Sequence, residues 1–358
     1  MLNTSRRDQY LNLMASRGWD HLLLYGHAWR KDFFRSLVNF SFFGPHAVAA
    51  LSKSGELSIL ASHPWDAENI KATLDADITC NGDFNSAFKS FARANTAIAG
   101  MELMEARFVV HFPSAVSATL AVEELRRFKT PEEIDTARRA AHLADLGYQH
   151  FVDTAEVGMA EYELAAEVEG FLKTRGVEHN FMLIGSGGTE VYGMKPPTDR
   201  RFQRGDSITT ELSPQVDGCY AQICRTLILG EPSENQSRSF AIFREAQQAA
   251  EDFLKPGVNI MDVARVQNDV FRREGFGEYT TSKYTRVRGH NLGLHPDENP
   301  YVLEDVDCVV DKDMVLIAHP NTYLPLAGYM VFGDTLVVTE TGCERLNKSD
   351  KKLFWKEA

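Results

Sequence analysis

Apolar and polar positions follow two rhythms along this chain, and the change from one to the other places its elements. From Thr4 or Ser5, Tyr10, Leu11, Leu13 and Met14 fall on one side of a helix that Gly18 closes. His21 to Tyr25 is a short continuous apolar run, which predicts a buried strand. Val48 to Leu51 and Leu57 to Ala61 flank Ser52-Lys53-Ser54-Gly55 as a hairpin. Helical stretches near Ala67 to Leu74 and Ser86 to Ala94 then alternate with strand-like Thr96 to Met101 and Arg107 to His111, so an α/β layer is expected up to about residue 125.

A second unit opens at Thr130-Pro131-Glu132-Glu133. Thr130 can cap, proline suits the first helical position, and the two glutamates favour the positive end of the helix dipole. Ile134, Ala137, Ala141 and Ala144 continue that helix at three- and four-residue steps, and a second helix of about Met159 to Thr174 ends at Gly176. A strand near Asn180 to Gly185 leads into the loop Ser186-Gly187-Gly188-Thr189-Glu190-Val191-Tyr192-Gly193, which lacks phosphate-binding spacing. Two β-rich arms follow, Ser207 to Leu212 and Cys219 to Leu229, with turn chemistry from Pro214, Asp217 and Gly218. Helices are expected at Asn235 to Leu254 and Ile260 to Glu274, and strands around Arg286 to Gly293, Met314 to Ala318 and Met330 to Thr339.

Composition narrows the class. The chain has 358 residues, of which 44% are hydrophobic, enough for two domains, and we place these at 1–127 and 128–358. A net charge of −12 with no basic cluster argues against a nucleic-acid partner. The five cysteines are odd in number and show no Cys-x-x-Cys spacing, no apolar run approaches 18 residues, and the first residues lack a signal-type apolar segment. A cytoplasmic location without a membrane association is the expectation.

The hairpin arms carry Glu211 and Gln222, two polar side chains that are expensive to bury without partners or a ligand. Facing solvent on a half-exposed sheet is the plain alternative.

Five segments in order, RRFKTPEEID, GDSITTELSPQVDGCYAQICRT, RGHNLGLHPDENP, DMVLIAHPN and MVFGDTLVVTETG, make the chain resemble the creatinase, prolidase and methionine aminopeptidase family. The resemblance implies an α/β (α+β) protein: a small N-terminal α/β domain followed by a C-terminal pita-bread catalytic domain. It also implies a homodimer in which the N-terminal domain borders the partner's site. Most members hold two metal ions with two aspartates on the hairpin, the histidine of a Gly-His-x-x-Gly segment, a glutamate before proline and a last glutamate on the final strand. Here those places hold Glu211, Gln222, His290, His319 and Gly333. A dinuclear centre depends on anionic bridging oxygens, so this set argues against it. Creatinase works without a metal, but its upstream histidine falls on Met194 here, and a second family histidine falls on Asp297, with His295 two residues away.

The surviving candidates are His290, His319, Glu211 and His295 for catalysis, with His290 and His319 as acid and base and Glu211 orienting one imidazole. Gln222, Asp334, Tyr220, Glu190, Tyr192 and Arg35 are candidate substrate contacts. For Tyr220 and the neighbouring Arg225, pairing with local carboxylates is the plain alternative. For Arg35, in the stretch with His27 and Arg30, it is a solvated surface. No cofactor is favoured; the alternative is a single Zn, Mn or Fe ion on His290, His319 and Glu211. The expected activity is creatinase-like hydrolysis of a C–N bond in a small nitrogen-containing metabolite. A lyase, a mononuclear Xaa-Pro-type peptidase and an inactive ligand-binding homologue are the alternatives.

Overall fold

The computed structural model describes residues 2–357 and divides the chain into two compact units, one ending at Arg126 and one starting at Arg127. The first unit is a mixed sheet. Its strands are β1 (His21–His27), β2 (His46–Ser52), β3 (Leu57–Ala61), β4 (Asp77–Cys80), β5 (Thr96–Ala99) and β6 (Val116–Ser117), in the order β4-β3-β2-β1-β5-β6. β1, buried from Leu22 to Gly26 between two half-buried histidines, runs antiparallel to β2 and parallel to β5 near the centre of the sheet. The first helix, Thr4–Arg17, ends at Gly18 in a left-handed conformation (φ 70°), as its sequence required.

One segment departs from its expected type. Arg107 to His111 is not a strand: Ala106–Val109 forms a short helix. Met104, Phe108 and Phe112 recur at four-residue steps and are all buried, so the helical period outweighs the local β-branched content.

The second unit is built on a larger sheet. Its strands are β7 (His179–Gly187), β8 (Ser207–Val216), β9 (Cys219–Tyr220), β10 (Ile223–Leu229), β11 (Gly289–Asn291), β12 (Glu298–Tyr301), β13 (Val315–Ala318), β14 (Thr322–Leu324), β15 (Gly328–Met330), β16 (Gly333–Val338), β17 (Cys343–Arg345) and β18 (Phe354–Lys356). The main path runs β12-β11-β13-β16-β10-β8-β7, while β14 and β15 pair as a separate hairpin. The Pro131–Thr154 helix begins at a capping box of Thr130 and Glu133 and lays Ala137, Ala140, Ala141 and Ala144 into the core, small side chains that let it approach the sheet. A Cβ on its Gly147 would come within 3.0 Å of Leu172 on the neighbouring Glu161–Lys173 helix, so these two helices meet at a position only glycine fills without adjustment. Glu234–Phe253 and Ile260–Arg273 complete the helical layer.

The hairpin differs from expectation in one respect. Pro214 lies within β8, opposite Asn180 of β7, and the turn is left to Asp217 and Gly218 alone, both at positive φ (44° and 87°). A two-residue turn with both central residues left-handed matches the twist of the strands it joins. The expected strand Arg286 to Gly293 contracts to β11.

Candidate functional site

Strand register decides which side chains meet. Glu211 of β8 pairs with Cys224 of β10, and Cys224 pairs with Gly333 of β16, so these three positions share one face of the sheet. His290 of β11 is opposite Ile317 of β13, and His319 follows directly after that strand. The His290 and His319 rings meet at 5.2 Å between centroids, edge to face. Both are buried.

Glu211 is half-buried, and burial raises its carboxyl to about 7, while hydrogen bonds from Cys224 and Asn321 oppose that rise. Asn321 Nδ2 donates to its Oε1 at 2.9 Å. The carboxylate is therefore held by an amide, and the expected role of Glu211 in orienting an imidazole is not what the structure shows. Burial also lowers both histidines, His290 below its usual range and His319 well below it, with His290 adding to the effect at His319. Both imidazoles are neutral at pH 7, so the group poised between its two protonation states is Glu211. His290 has Nδ1 3.0 Å from the Asn291 carbonyl and 3.6 Å from Asp297. Neither ring nitrogen of His319 has a hydrogen-bond partner among the described residues.

Gly333 explains where His319 sits. A Cβ at residue 333 would lie 2.6 Å from the Cβ of His319 and 2.8 Å from the Ala318 carbonyl oxygen. The histidine thus packs against space that any side chain at 333 would need. Gln222 lies in the gap between β9 and β10; its main-chain N–H and C=O are both tied to the Thr335 hydroxyl, at 2.9 and 2.8 Å, and its Nε2 is 3.5 Å from Cys224 Sγ.

The remaining candidates separate. Asp334 is fully buried with its carboxylate on Arg225 (2.6 Å) and Arg345 (3.5 Å). Alternation along β16 turns it away from the Gly333 side, so the structure does not bring it to the Glu211 group. Tyr220 is buried with its hydroxyl 3.2 Å from His179 Nδ1. His295 takes part in a local turn with Asp297 and Glu298. Glu190 is exposed and accepts from the Gly188 N–H at 2.9 Å. Tyr192 is 62% exposed and stacks on Tyr323 at 4.4 Å. Arg35, in the first unit, is buried and donates to Asn39, not a solvated surface group.

A metal centre fits this face poorly. Residue 333 offers no donor, residue 222 offers a neutral amide, and among the described residues no three His, Cys, Asp or Glu side chains converge as a ligand group. That includes Glu211, His290 and His319, so the single-ion alternative does not find its ligands assembled.

Three residues that the sequence reading passed over complete the site: Asn321, Cys224 and Arg288. Asn321 had a detectable signal, a polar residue two places after the candidate His319 in an otherwise apolar segment. Arg288 is wholly buried, its Nε bonded to Asn268 and its Nη1 to the Asn321 carbonyl (3.0 Å), and burial lowers it to about 10. Cys224 is a buried thiol pushed well up by its surroundings, so it is protonated at neutral pH.

Known proteins share this architecture. The Xaa-Pro dipeptidase of Pyrococcus furiosus is 30% identical over 235 residues, 65% of this chain and 66% of that protein, just under two thirds of its length. The X-Pro aminopeptidase structure from Thermotoga maritima superposes with a TM-score of 0.86 at 21% identity, covering 98% of this chain and 99% of the other. The Zn-substituted aminopeptidase P of Escherichia coli gives 0.80 at 18%, covering 97% and 95%. No helix of the described residues is long and apolar enough to cross a membrane. The family model for metallopeptidase family M24 matches residues 135–340, more than half of the chain, and with the pita-bread architecture seen here the chain belongs to that family.

Proposed function

We propose that this protein is a hydrolase that cleaves a C–N bond in a small nitrogen-containing molecule without a dinuclear metal centre. The observation that carries the reading is the half-buried Glu211, raised to about 7 and fixed by Asn321, whose main chain is bonded in turn to His319, an imidazole without a partner among the described residues. A carboxyl poised near neutrality suits general base and general acid work in turn. Glu211 takes a proton from water as the water oxygen bonds to the substrate carbon. It returns that proton to the nitrogen as the C–N bond breaks. Neutral His319 offers one N–H to the oxygen that gains charge and one acceptor nitrogen. Gln222 is held rigidly enough at its backbone to present its amide to the substrate. A homodimer is part of the proposal, as in the family pattern.

The test is elemental analysis of the purified protein together with turnover of amides, amidines, ureides and Xaa-Pro dipeptides, with and without chelator and added Mn or Co. Chelator-resistant C–N hydrolysis is expected. Two tightly bound ions per subunit with metal-dependent Xaa-Pro turnover would overturn the reading. A second reading, an Xaa-Pro-type peptidase, is favoured by the 30% identity to the Pyrococcus furiosus Xaa-Pro dipeptidase, and the same assay separates the two.

A further inference from the structure

Four tyrosines from separate segments of the second unit meet at one place. The Tyr192 and Tyr323 rings lie 4.4 Å apart at 14°, and Tyr284 lies 5.8 Å from Tyr323 at 10°, so three rings share nearly one orientation. Tyr279 leans against Tyr284 and Tyr323 at 4.8 and 5.8 Å. The row starts at the site. Tyr323 stands two places after Asn321, which donates to Glu211, and it pairs across the β14–β15 hairpin with Tyr329, whose hydroxyl is pushed up by burial and by the Glu211 charge. The row ends in solvent, where Tyr192 is 62% exposed.

Tyr192 is not free to turn with its loop. The Val191 carbonyl accepts from the Tyr329 N–H at 2.9 Å, and a Cβ on Gly328 would collide with the Gly188 carbonyl, so loop and hairpin touch through their main chains. The Tyr192 and Tyr323 hydroxyls share a hydrogen bond. One face of Tyr192 thus rests on Tyr323, and no second ring or cation meets it among the described residues. The other end of the row differs, since the Lys283 ammonium sits 5.3 Å from the Tyr284 ring. A ring held in a set plane with one face open is pre-ordered to stack. A cation site would add a carboxylate beside that face, yet Glu190, the acid nearest in the chain, folds back onto the Gly188 N–H at 2.9 Å. The open face therefore suits a neutral ring.

We infer that Tyr192, backed by Tyr323, is a stacking subsite for an uncharged aromatic ring that the substrate carries beyond the C–N bond to be broken. That the ring belongs to a substrate rests on the proposed hydrolase reading; the stacking itself does not. A tyrosine attracts an aromatic ring by more than the area the contact buries, whereas a saturated ring of the same size gains from area alone. Tyr323 is a positioning residue here, since it sets the plane of Tyr192 and joins it to the Asn321 segment.

The experiment measures binding and needs no turnover. Phenylacetamide, cyclohexylacetamide and tetramethylammonium are titrated into the full-length protein by ligand-observed NMR. Phenylacetamide is expected to bind about 3- to 10-fold more tightly than cyclohexylacetamide, a preference that apolar adsorption would reverse because the saturated ring is the more hydrophobic. Tyr192→Leu should bring that ratio toward one, and Tyr192→Phe should keep it. Circular dichroism and Tm show whether each variant folds; should Tyr192→Leu fail to fold, Tyr192→Trp, which enlarges the stacking face, decides by tightening phenylacetamide or failing to. Equal binding of the two amides, no binding of either, an unchanged ratio in a folded Tyr192→Leu, or tetramethylammonium as the tightest probe would each overturn the inference. Aromatic preference in a protein that hydrolyses no C–N bond would sink the hydrolase reading and leave the stacking site standing. Hydrolysis indifferent to the ring would do the reverse.

Discussion

The two faces of the β10–β16 pair differ in how their charges are matched. On one face Arg225 and Asp334 are both fully buried and bonded to each other at 2.6 Å, with Arg345 supplying a second cation and Phe332 a ring under the guanidinium. On the other face, one residue away along each strand, stand Cys224 and Gly333, with Glu211, His290, His319 and Asn321 around them. There a carboxyl is raised to about 7, and several buried atoms lack partners. In the first pair the two charges match each other, although Arg225 Nε has no partner, and removing either charge leaves the other buried and uncompensated. An unsaturated polar group lowers stability and persists where a ligand completes it. Adjacent residues on the same strands thus serve scaffold and site, and burial alone does not tell them apart.

Breaking the ion-paired face should have the largest effect. Asp334→Ala leaves Arg225 buried and unpaired, and we expect a loss of about 3–5 kcal/mol in denaturant-unfolding free energy. If the loss is under about 1 kcal/mol, the contrast between the faces is misdrawn.

Glu211→Gln tests the other face and should behave in the opposite way: turnover lowered by about 10²-fold or more, with the fold intact by circular dichroism. The pH dependence sharpens this. Because Glu211 is raised from 4.5 to about 7, the folded state binds its proton more tightly than the unfolded state. Its contribution to stability is therefore present at low pH and is lost as pH rises through that window, by about 2 kcal/mol after allowance for partial exposure. His290 and His319, lowered from 6.5, act the other way, since the unfolded state takes up protons the folded state refuses, and stability falls as pH drops below 6.5. Stability curves from pH 4.5 to 7.5 should show the Glu211→Gln protein gaining on the wild type as pH rises. Parallel curves would remove the raised carboxyl from the account.

Gly333→Ala should cost about 1–3 kcal/mol in thermal or chemical unfolding, because its Cβ meets the His319 Cβ and the Ala318 carbonyl. His319→Ala should not rescue it, since the colliding atoms remain. Tyr192→Ala removes an exposed side chain that stacks on Tyr323 and shares a hydrogen bond with it, and its stability change should be about 0.5 kcal/mol, the smallest of the set.

Much of the scaffold was legible in the chain. Thr130-Pro131-Glu132-Glu133 announced a capped helix, and the capping box is there, because caps depend on residues within one turn. Gly18 and the Asp217-Gly218 turn were readable for the same reason. The helix at Ala106–Val109 was not, since its type depends on which of its side chains the core accepts. At the site, Glu211, Gln222, His290 and His319 were visible as polar residues in β-rich or motif-like segments. Their states were not. Asn321 showed only as a polar residue close to His319, and Arg288 was silent in the pattern, because the importance of both lies in whom they face.

What the sequence determined by itself was local: the elements with their caps and turns, and the alternation that puts Glu211 and Leu212 on opposite faces. Only the tertiary structure decided that Asp334 turns to Arg225 while Gly333 makes room for His319, and that Glu211 is held by Asn321, 110 positions away in the chain. The physical reason is that protonation and hydrogen-bond saturation depend on burial and on partners distant in sequence, and register across strands, set by the whole sheet, chooses those partners.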